Sequence, residues 1–236
     1  MERCLLITLL GRADLFRSLS EVERGALAAQ MRETTYASGQ LIFARGDPGE
    51  EMHLVVDGRV RLSVLSADGR VLSFGHAGRG DIFGEIATLD GQARTADATA
   101  LTRVTTARLS RSSLKRLMDD KPQLAQAVIA LLCRRLRATS EQIEDIALHS
   151  TQVRLARFLL AAIAIKEGKA NLLPAVLDID MSQTELGSLL GASRTKVNDA
   201  LATLEKLGAV HHTGAHIECY VDALLDVARD DDASRS

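Results

Sequence analysis

The sequence predicts an α+β chain in three parts: a strand-rich barrel or jelly roll, one long helix, and a winged helix-turn-helix. Three observations predict it. Short apolar runs separated by glycine-bearing turns occupy residues 41–109. Apolar residues then recur at alternating steps of four and three from Ala125 to Ile146. Further on, two capping signals, Ser182 and Ser193, flank Gly191. The boundaries expected are 1–120, 121–149 and 150–236.

Composition narrows the classes. Of 236 residues 46% are hydrophobic, enough for ordinary cores, but only 3% are aromatic and none is Trp. Stacking on single-stranded nucleic acid is therefore not expected. Net charge is −2, which by itself argues neither for nor against nucleic acid. Cys4, Cys133 and Cys219 are odd in number and far apart, with no CxxC site and no disulfide framework, which fits a reducing compartment. The apolar run 4–10 is short for a signal-peptide core, lacks a small-residue cleavage site and meets Arg12 and Asp14 at once. No 18-residue apolar stretch occurs, so no membrane span is expected. A soluble cytoplasmic protein is the expectation.

Residues 15–32 read as a short amphipathic helical lead-in, with Ser20 and Glu23 as a capping box. From Gly39 the period changes. Leu41-Ile42-Phe43, 52–56, 60–64 and 71–74 are short apolar or alternating runs. Asp47-Pro48-Gly49, Asp57-Gly58 and Asp68-Gly69 separate them as turns. Val60, Leu62 and Val64 are expected to point one way, Arg59, Arg61 and Ser63 the other. Runs at 98–101 and 104–109 end the sheet. Many short strands with glycine-rich turns imply a small barrel or jelly roll.

Within this sheet lies 83–96, Phe-Gly-Glu-Ile-Ala-Thr-Leu-Asp-Gly-Gln-Ala-Arg-Thr-Ala. Gly84 lets the backbone approach something closely. Glu85 offers a carboxylate to sugar hydroxyls; Arg94 can fork onto a phosphate, with the Thr95 hydroxyl beside it. The same two charges could also neutralise each other as a salt bridge.

The long helix is expected from Pro122 to about Leu148. Asp119 and Asp120 precede it, and proline suits a first-turn position because its missing N–H costs nothing there. Ala125, Ile129, Leu132, Leu136, Thr139, Ile143 and Ile146 form a heptad seam, roughly 30 Å long, for pairing with another helix. Thr139 breaks the apolar rule, with Ser140 after it and Arg134, Arg135 and Arg137 before it. Such a residue either sets the register of the pair or offers hydroxyls to a ligand. Spacing alone favours the first.

Residues 151–167 read as another helix, with Val153, Ala156, Leu159, Leu160 and Ile163 on one face and Gly168 at its end. Residues 171–180 are extended. Ser182-Gln183-Thr184-Glu185 is a capping box that opens a short helix; Gly191 supplies a turn, and Ser193 caps a helix from Arg194 to Lys206. Leu186, Leu190, Ala192, Val197 and Leu201 supply the contacts that lock the two helices, with Gly187 and Gly191 where close packing and the turn need small residues. This is a helix-turn-helix pattern. Residues 210–220, interrupted at Thr213-Gly214, read as a two-stranded wing, and Asp230-Asp231-Asp232 as part of a solvated tail.

The ordered set Gly84-Glu85-Ile86-Ala87 and Arg94-Thr95-Ala96 closely resembles the phosphate-binding cassette of cyclic-nucleotide-binding domains. Residues 134–141 resemble the C-helix of the catabolite activator branch of the Crp/Fnr family, and 181–210 its DNA-binding half. The resemblance covers about 15–223 in the expected order. It implies that Glu85 bonds the ribose 2′-OH, that Arg94 binds the cyclic phosphate, and that Thr95 and the backbone at 84–87, Ile86 and Ala87 included, complete the cradle. It implies that Thr139 contacts the base in its own subunit, Ser140 the base in the partner, and that Arg135 approaches Glu85 or the ligand. With it, ligand contact becomes the favoured role of Thr139. Thr139-Ser140 favours cyclic AMP by resemblance. Thr95 is the residue type that cyclic-GMP-responsive domains use, so dual response stays open.

The same resemblance places the second helix in the major groove, with Arg194 on guanine, Asn198 on a base edge, and Ser193, Thr195 and Lys196 on phosphates or bases. It also assigns Ser182, Gln183 and Thr184 to the DNA face. The family's best-known readers carry Glu and Arg where this chain has Thr195 and Asp199, so a different target sequence is expected. Residues 181–220 carry Arg194, Lys196 and Lys206 against Glu185, Asp199, Glu205 and Glu218, one net negative charge. Modest DNA affinity follows, assisted by helix N-termini and by Arg154 and Arg157.

A homodimeric, cyclic-nucleotide-gated regulator on a roughly palindromic DNA site is the expectation, with RNA polymerase as a partner if it activates. One rival binds DNA constitutively or with another ligand; a second uses its helix-turn-helix for protein contacts. His211, His212, His216 and Cys219 lie in the wing without zinc-motif spacing and read as exposed wing residues. Iron–sulfur sensing needs a cysteine cluster that is missing. No catalytic arrangement suggests an enzyme.

Overall fold

A computed structural model describes residues 3–66, 71–167, 175–178, 182–213 and 216–233. The chain divides into two compact units, Met1–Ala138 and Thr139–Ser236.

The first unit opens with α1 (Arg3–Arg12) and α2 (Glu21–Ala28). The apolar run 4–10 lies in α1 and buries Leu6, Leu9 and Leu10, one stripe of a helix. The Ser20–Glu23 capping box is present in both directions at the start of α2. The lead-in is shorter than expected: its helix covers only Glu21–Ala28, and Arg32 already opens a strand, β1 (Arg32–Tyr36). Its Thr34-Thr35-Tyr36 favours a pleated, half-buried surface.

The remaining strands are β2 (Leu41–Phe43), β3 (Glu51–Asp57), β4 (Val60–Leu65), β5 (Val71–Ala77), β6 (Ile82–Phe83), β7 (Asp97–Ala100) and β8 (Val104–Ser110), with a short helix, α3 (Glu85–Asp90), between β6 and β7. They form two antiparallel four-stranded sheets, β1-β8-β3-β6 and β2-β7-β4-β5. Tyr36, Val55, Val60, Ala98, Val104 and their neighbours make the core that joins the sheets. Met52, Leu54 and Val56 pack instead with Leu9, Leu10 and Phe16. Strand β3 is thus buried on both faces, which is why it reads as a continuous apolar run.

One alternation is overturned. A bulge between Leu62 and Ser63 shifts the β4–β5 register, so Ser63 is buried and Val64 only half-buried. The Asp68-Gly69 turn lies outside the described residues.

Helix α4 (Arg111–Asp120), which the sequence reading passed over, is capped by Ser110, whose Oγ accepts from the Ser113 N–H at 3.2 Å. It leads into α5 (Pro122–Leu148), with the bounds expected. Leu124 and Val128 of α5 join the core of the first unit.

In the second unit, α6 (Thr151–Glu167) buries Val153, Leu155, Ala156, Leu159 and Ile163, with Leu160 half-buried. Gly168 and residues 171–174 and 179–181 lie outside the described residues; Ala175–Asp178 is strand β9. Helix α7 (Gln183–Leu190) starts at the Ser182–Glu185 capping box and ends at Gly191, in the left-handed region at φ 60°. Helix α8 (Arg194–Lys206) starts at Ser193. A Cβ on Gly187 would lie 2.7 Å from the Ala192 carbonyl oxygen, so the two helices meet at backbone distance. Strands β10 (Val210–Thr213) and β11 (His216–Cys219) pair as the wing, and β9 adds a third strand. Gly214 is outside the described residues. The acidic tail is corrected: α9 (Val221–Ala233) includes Asp230–Asp232 in its backbone. Val221 and Leu224 anchor this helix in the core beside α6.

Candidate functional site

Strand β6 delivers the chain to Gly84, which takes φ 75°. A Cβ here would lie 2.6 Å from Arg94 Nη1 and 3.3 Å from Phe43, so only glycine fits. The next turn, α3, buries Glu85, Ala87 and Thr88, while Ile86 is exposed. Gly49 lies so near that a Cβ on it would stand 2.1 Å from that of Ala87. The Thr88 hydroxyl donates to the Gly84 carbonyl at 2.9 Å.

Glu85 is fully buried. Arg135 Nη1 of α5 stands 2.5 Å from its Oε1, and Arg135 Nη2 donates to the Ile82 carbonyl. Oε2 accepts no hydrogen bond from a described residue. Burial raises the Glu85 pKa above its ordinary value, and the charge of Arg135 opposes that rise.

Arg94 is 6% exposed. Nη1 donates to the Gly84 carbonyl and Nη2 to the Glu51 carbonyl, each at 2.7 Å. Its guanidinium lies 4.1 Å over the Phe43 ring. Burial lowers its pKa. Glu85 and Arg94 therefore do not form the mutual salt bridge that their sequence positions allow; each has another partner. Beneath them the His53 ring stacks on Phe83 at 4.8 Å and shares a hydrogen bond of 3.2 Å with Thr106. Burial first, then the charges of Arg94 and Arg108, push His53 down to about 3, so it is neutral. Phe43, His53 and Glu51 escaped the sequence reading. Glu51 supplies a backbone carbonyl, which no residue type announces.

Thr95 is exposed, as are Thr139 and Ser140, four and five residues beyond Arg135 on α5. Along the same helix Ile129, Leu136 and Ile143, each seven residues from the last, are 61%, 68% and 63% exposed. Ala125 and Leu132 are half-buried.

In the second unit Ser182, Gln183 and Thr184 are exposed at the start of α7; Ser193, Arg194, Thr195, Lys196 and Asn198 are exposed around the first turn of α8. Arg194 Nε donates to Gln183 Oε1 at 3.4 Å, and Ser193 Oγ accepts from the Lys196 N–H at 3.3 Å. The Arg194–Gln183 bond brings the first turns of α7 and α8 together. Arg154 and Arg157, expected to assist with phosphates, have partners within this unit: Arg154 donates to the Leu190 carbonyl, and Arg157 pairs with Asp145 at 2.9 Å. In the wing His211 and His216 are exposed, but Cys219 is fully buried, and burial pushes its thiol up to about 11. It faces the core, away from the role of an exposed wing residue. Among the described residues no helix is long and apolar enough to cross a membrane.

Residues 33–121 match the cyclic nucleotide-binding domain family, and 153–226 the Crp-like helix-turn-helix domain. A CRP-like cAMP-activated global transcriptional regulator of Mycobacterium tuberculosis is 30% identical over 209 residues, 89% of this chain and 93% of that protein. FixK2 of Bradyrhizobium japonicum superposes with a TM-score of 0.71 at 25% identity, over 84% of this chain and 96% of that one. The c-di-GMP responsive global regulator CLP of Xanthomonas campestris does so at 0.69 and 25%, over 81% and 95%.

Proposed function

Because the chain belongs to the Crp/Fnr family of transcriptional regulators, with a cyclic nucleotide-binding domain and a Crp-like helix-turn-helix, we propose that it is a homodimer gated by a cyclic mononucleotide, cyclic AMP in preference to cyclic GMP, that reads a roughly palindromic duplex. Residues 1–120 sense, 121–149 dimerise, and 150–236 bind DNA. One observation carries the reading. The buried carboxylate of Glu85, where a ribose hydroxyl would be recognised, is held by Arg135 of the long helix. A ligand that competes for that carboxylate changes what holds the helix, and a ligand shifts only what it binds differentially. Arg94, Thr95 and the turn at 84–87 hold the phosphate; Thr139 and Ser140 meet the base. Arg194 and Asn198 read bases, with Ser182, Gln183, Thr184, Ser193, Thr195 and Lys196 around them. The cAMP-activated relative supports cyclic AMP. The protein acts in the cytoplasm, on RNA polymerase where it activates.

A second reading keeps the fold and changes the input to constitutive binding or another ligand. It is favoured by the two backbone carbonyls that accept from Arg94 Nη1 and Nη2, and by the c-di-GMP responsive relative. Selection from random duplexes, run without nucleotide and with cyclic AMP or cyclic GMP, tests both. A palindromic consensus enriched by cyclic AMP is expected. Equal enrichment in all arms supports the second reading, and no enrichment in any arm rejects DNA binding.

A further inference from the structure

Helix α7 ends in carbonyls that lack partners within the helix. Side chains from two other helices take them. Gln142 Nε2 of α5 donates to the Leu189 carbonyl at 3.4 Å, and Arg154 Nη1 of α6 donates to the Leu190 carbonyl. Arg154 Nη2 also donates to Thr151 Oγ1 at 3.3 Å, which anchors the guanidinium to the first turn of its own helix. A positive group at a helix C-terminus is favoured by the helix dipole as well as by the hydrogen bond.

The turn itself sits on the same side chains. A Cβ on Gly191 would lie 2.9 Å from Ile146 Cδ1 and 3.4 Å from Arg154 Nη1. Gly191 is in the left-handed region, and two residues later Ser193 caps α8. The turn between the two helices is therefore held by Gln142 and Ile146 from the end of the long helix and by Arg154 from the next. Asp145 faces this group as well, where it pairs with Arg157 at 2.9 Å and stands 3.9 Å from His149.

We infer that Arg154 is a positioning residue for DNA reading: with Gln142 and Ile146 it ties the α7–α8 turn to the last turns of α5, so that movement of the long helix is passed to the recognition helix. This rests on the DNA-binding reading above. Arg154 acts through the turn and does not touch the phosphate backbone.

The experiment compares wild type, Arg154→Met, Arg154→Lys and Gln142→Ala as full chains, on the duplex selected with the wild type. Cyclic AMP affinity is measured by calorimetry, duplex affinity with and without cyclic AMP by anisotropy, and its salt dependence across a series. Arg154→Met is expected to weaken duplex binding about tenfold at saturating cyclic AMP, with nucleotide affinity within about twofold. The enhancement of duplex binding by cyclic AMP should shrink in Arg154→Met and in Gln142→Ala, and Arg154→Lys should recover part of it. Mere loss of stability would lower binding in both states and leave that ratio intact. The salt slope should stay at the wild-type value. A slope about two units shallower, one for each half-site, would make Arg154 a phosphate contact and overturn the inference. Unchanged binding and enhancement in all variants would also overturn it, while the functional reading stands. Wild-type protein that binds no duplex under any nucleotide overturns that reading and this inference with it.

Discussion

Arg135 and Glu85 form an ion pair, Nη1 to Oε1 at 2.5 Å, in which the carboxylate is fully buried and the guanidinium about one-third exposed. The pair joins α5 to the turn after β6. Removing one partner of a buried pair leaves the other charge without compensation, which costs more than the pair itself contributes. Arg135→Leu should therefore destabilise the protein by about 2 kcal/mol, discounted for the exposure of the guanidinium. Glu85→Gln in that background should recover much of the loss. Urea unfolding of the two single variants and the double variant checks this, and additive losses would contradict the pairing.

Arg94 makes a different case, because the sequence reading and the structure assign its donors differently. Its terminal nitrogens are satisfied by the carbonyls of Gly84 and Glu51. A cyclic phosphate bound at Arg94 would have to draw at least one of them away, and a two-pronged guanidinium would do this better than an ammonium. Arg94→Lys should weaken cyclic nucleotide binding on the order of a hundredfold by calorimetry. Gly84→Ala should do the same by another route, since its side chain would meet Arg94 and Phe43 at a backbone angle that suits glycine. Full affinity in either variant would remove the phosphate contact from this place.

The seam is the most exposed apolar feature of α5. Ile129, Leu136 and Ile143 repeat every seven residues and are all more than half exposed, the pattern that suits pairing with another helix. Leu136→Glu places like charges opposite each other in a two-fold pair. It should convert a dimer to a monomer in sedimentation equilibrium, and duplex binding should fall with it. A monomeric wild type would make the seam something other than a dimer contact.

Legibility followed physical range. The two capping boxes, the bounds of α5 and the apolar strands were readable because each depends on neighbours a few residues apart. The cassette was readable as an ordered set of residue types. Strand β1 and the burial of Ser63 were not: the first is fixed by pairing with β8, far along the chain, and the second by a one-residue bulge. The partners of Arg94 and Arg154 were hidden for another reason. Both arginines donate to backbone carbonyls, and every residue has one. The acidic end looked like a tail because its charges were counted and the spacing of Val221, Leu224 and Ala228 was not.

His53 gives the fold a dependence on acid. Its pKa is lowered from the ordinary 6.5 to about 3. Between those values the unfolded chain binds the proton and the folded one does not, so stability falls as pH drops from 6.5 toward 3, by at most about 1.4 kcal/mol per pH unit. Glu85 has the opposite sign. Its raised pKa makes the folded state hold a proton that the unfolded state has lost, so its contribution declines as pH rises above the ordinary 4.5. His53→Phe, which keeps an aromatic ring against Phe43 and Phe83, should flatten the loss of stability below pH 6.5. Glu85→Gln should steepen it. Urea midpoints at intervals from pH 4 to 8 separate the two, and identical profiles would mean that neither group titrates differently on folding.

The charge on the DNA surface sets a final expectation. Arg194 and Lys196 are exposed in the first turn of α8, while Arg154 and Arg157 are engaged within the protein. In a dimer the two cations of each subunit, Arg194 on a base edge and Lys196 on a phosphate, would each displace about one counterion, and each of the four would contribute about −0.9 to the slope of log affinity against log salt. A slope near −4 is expected, much shallower than that of a strongly basic repressor. Lys196→Gln should make it shallower by about two units, one for each half-site, because a dimer loses the residue twice. Were the wild-type slope near −10, cations outside this surface would have to reach the backbone, and the recognition helix would not be the main electrostatic contact.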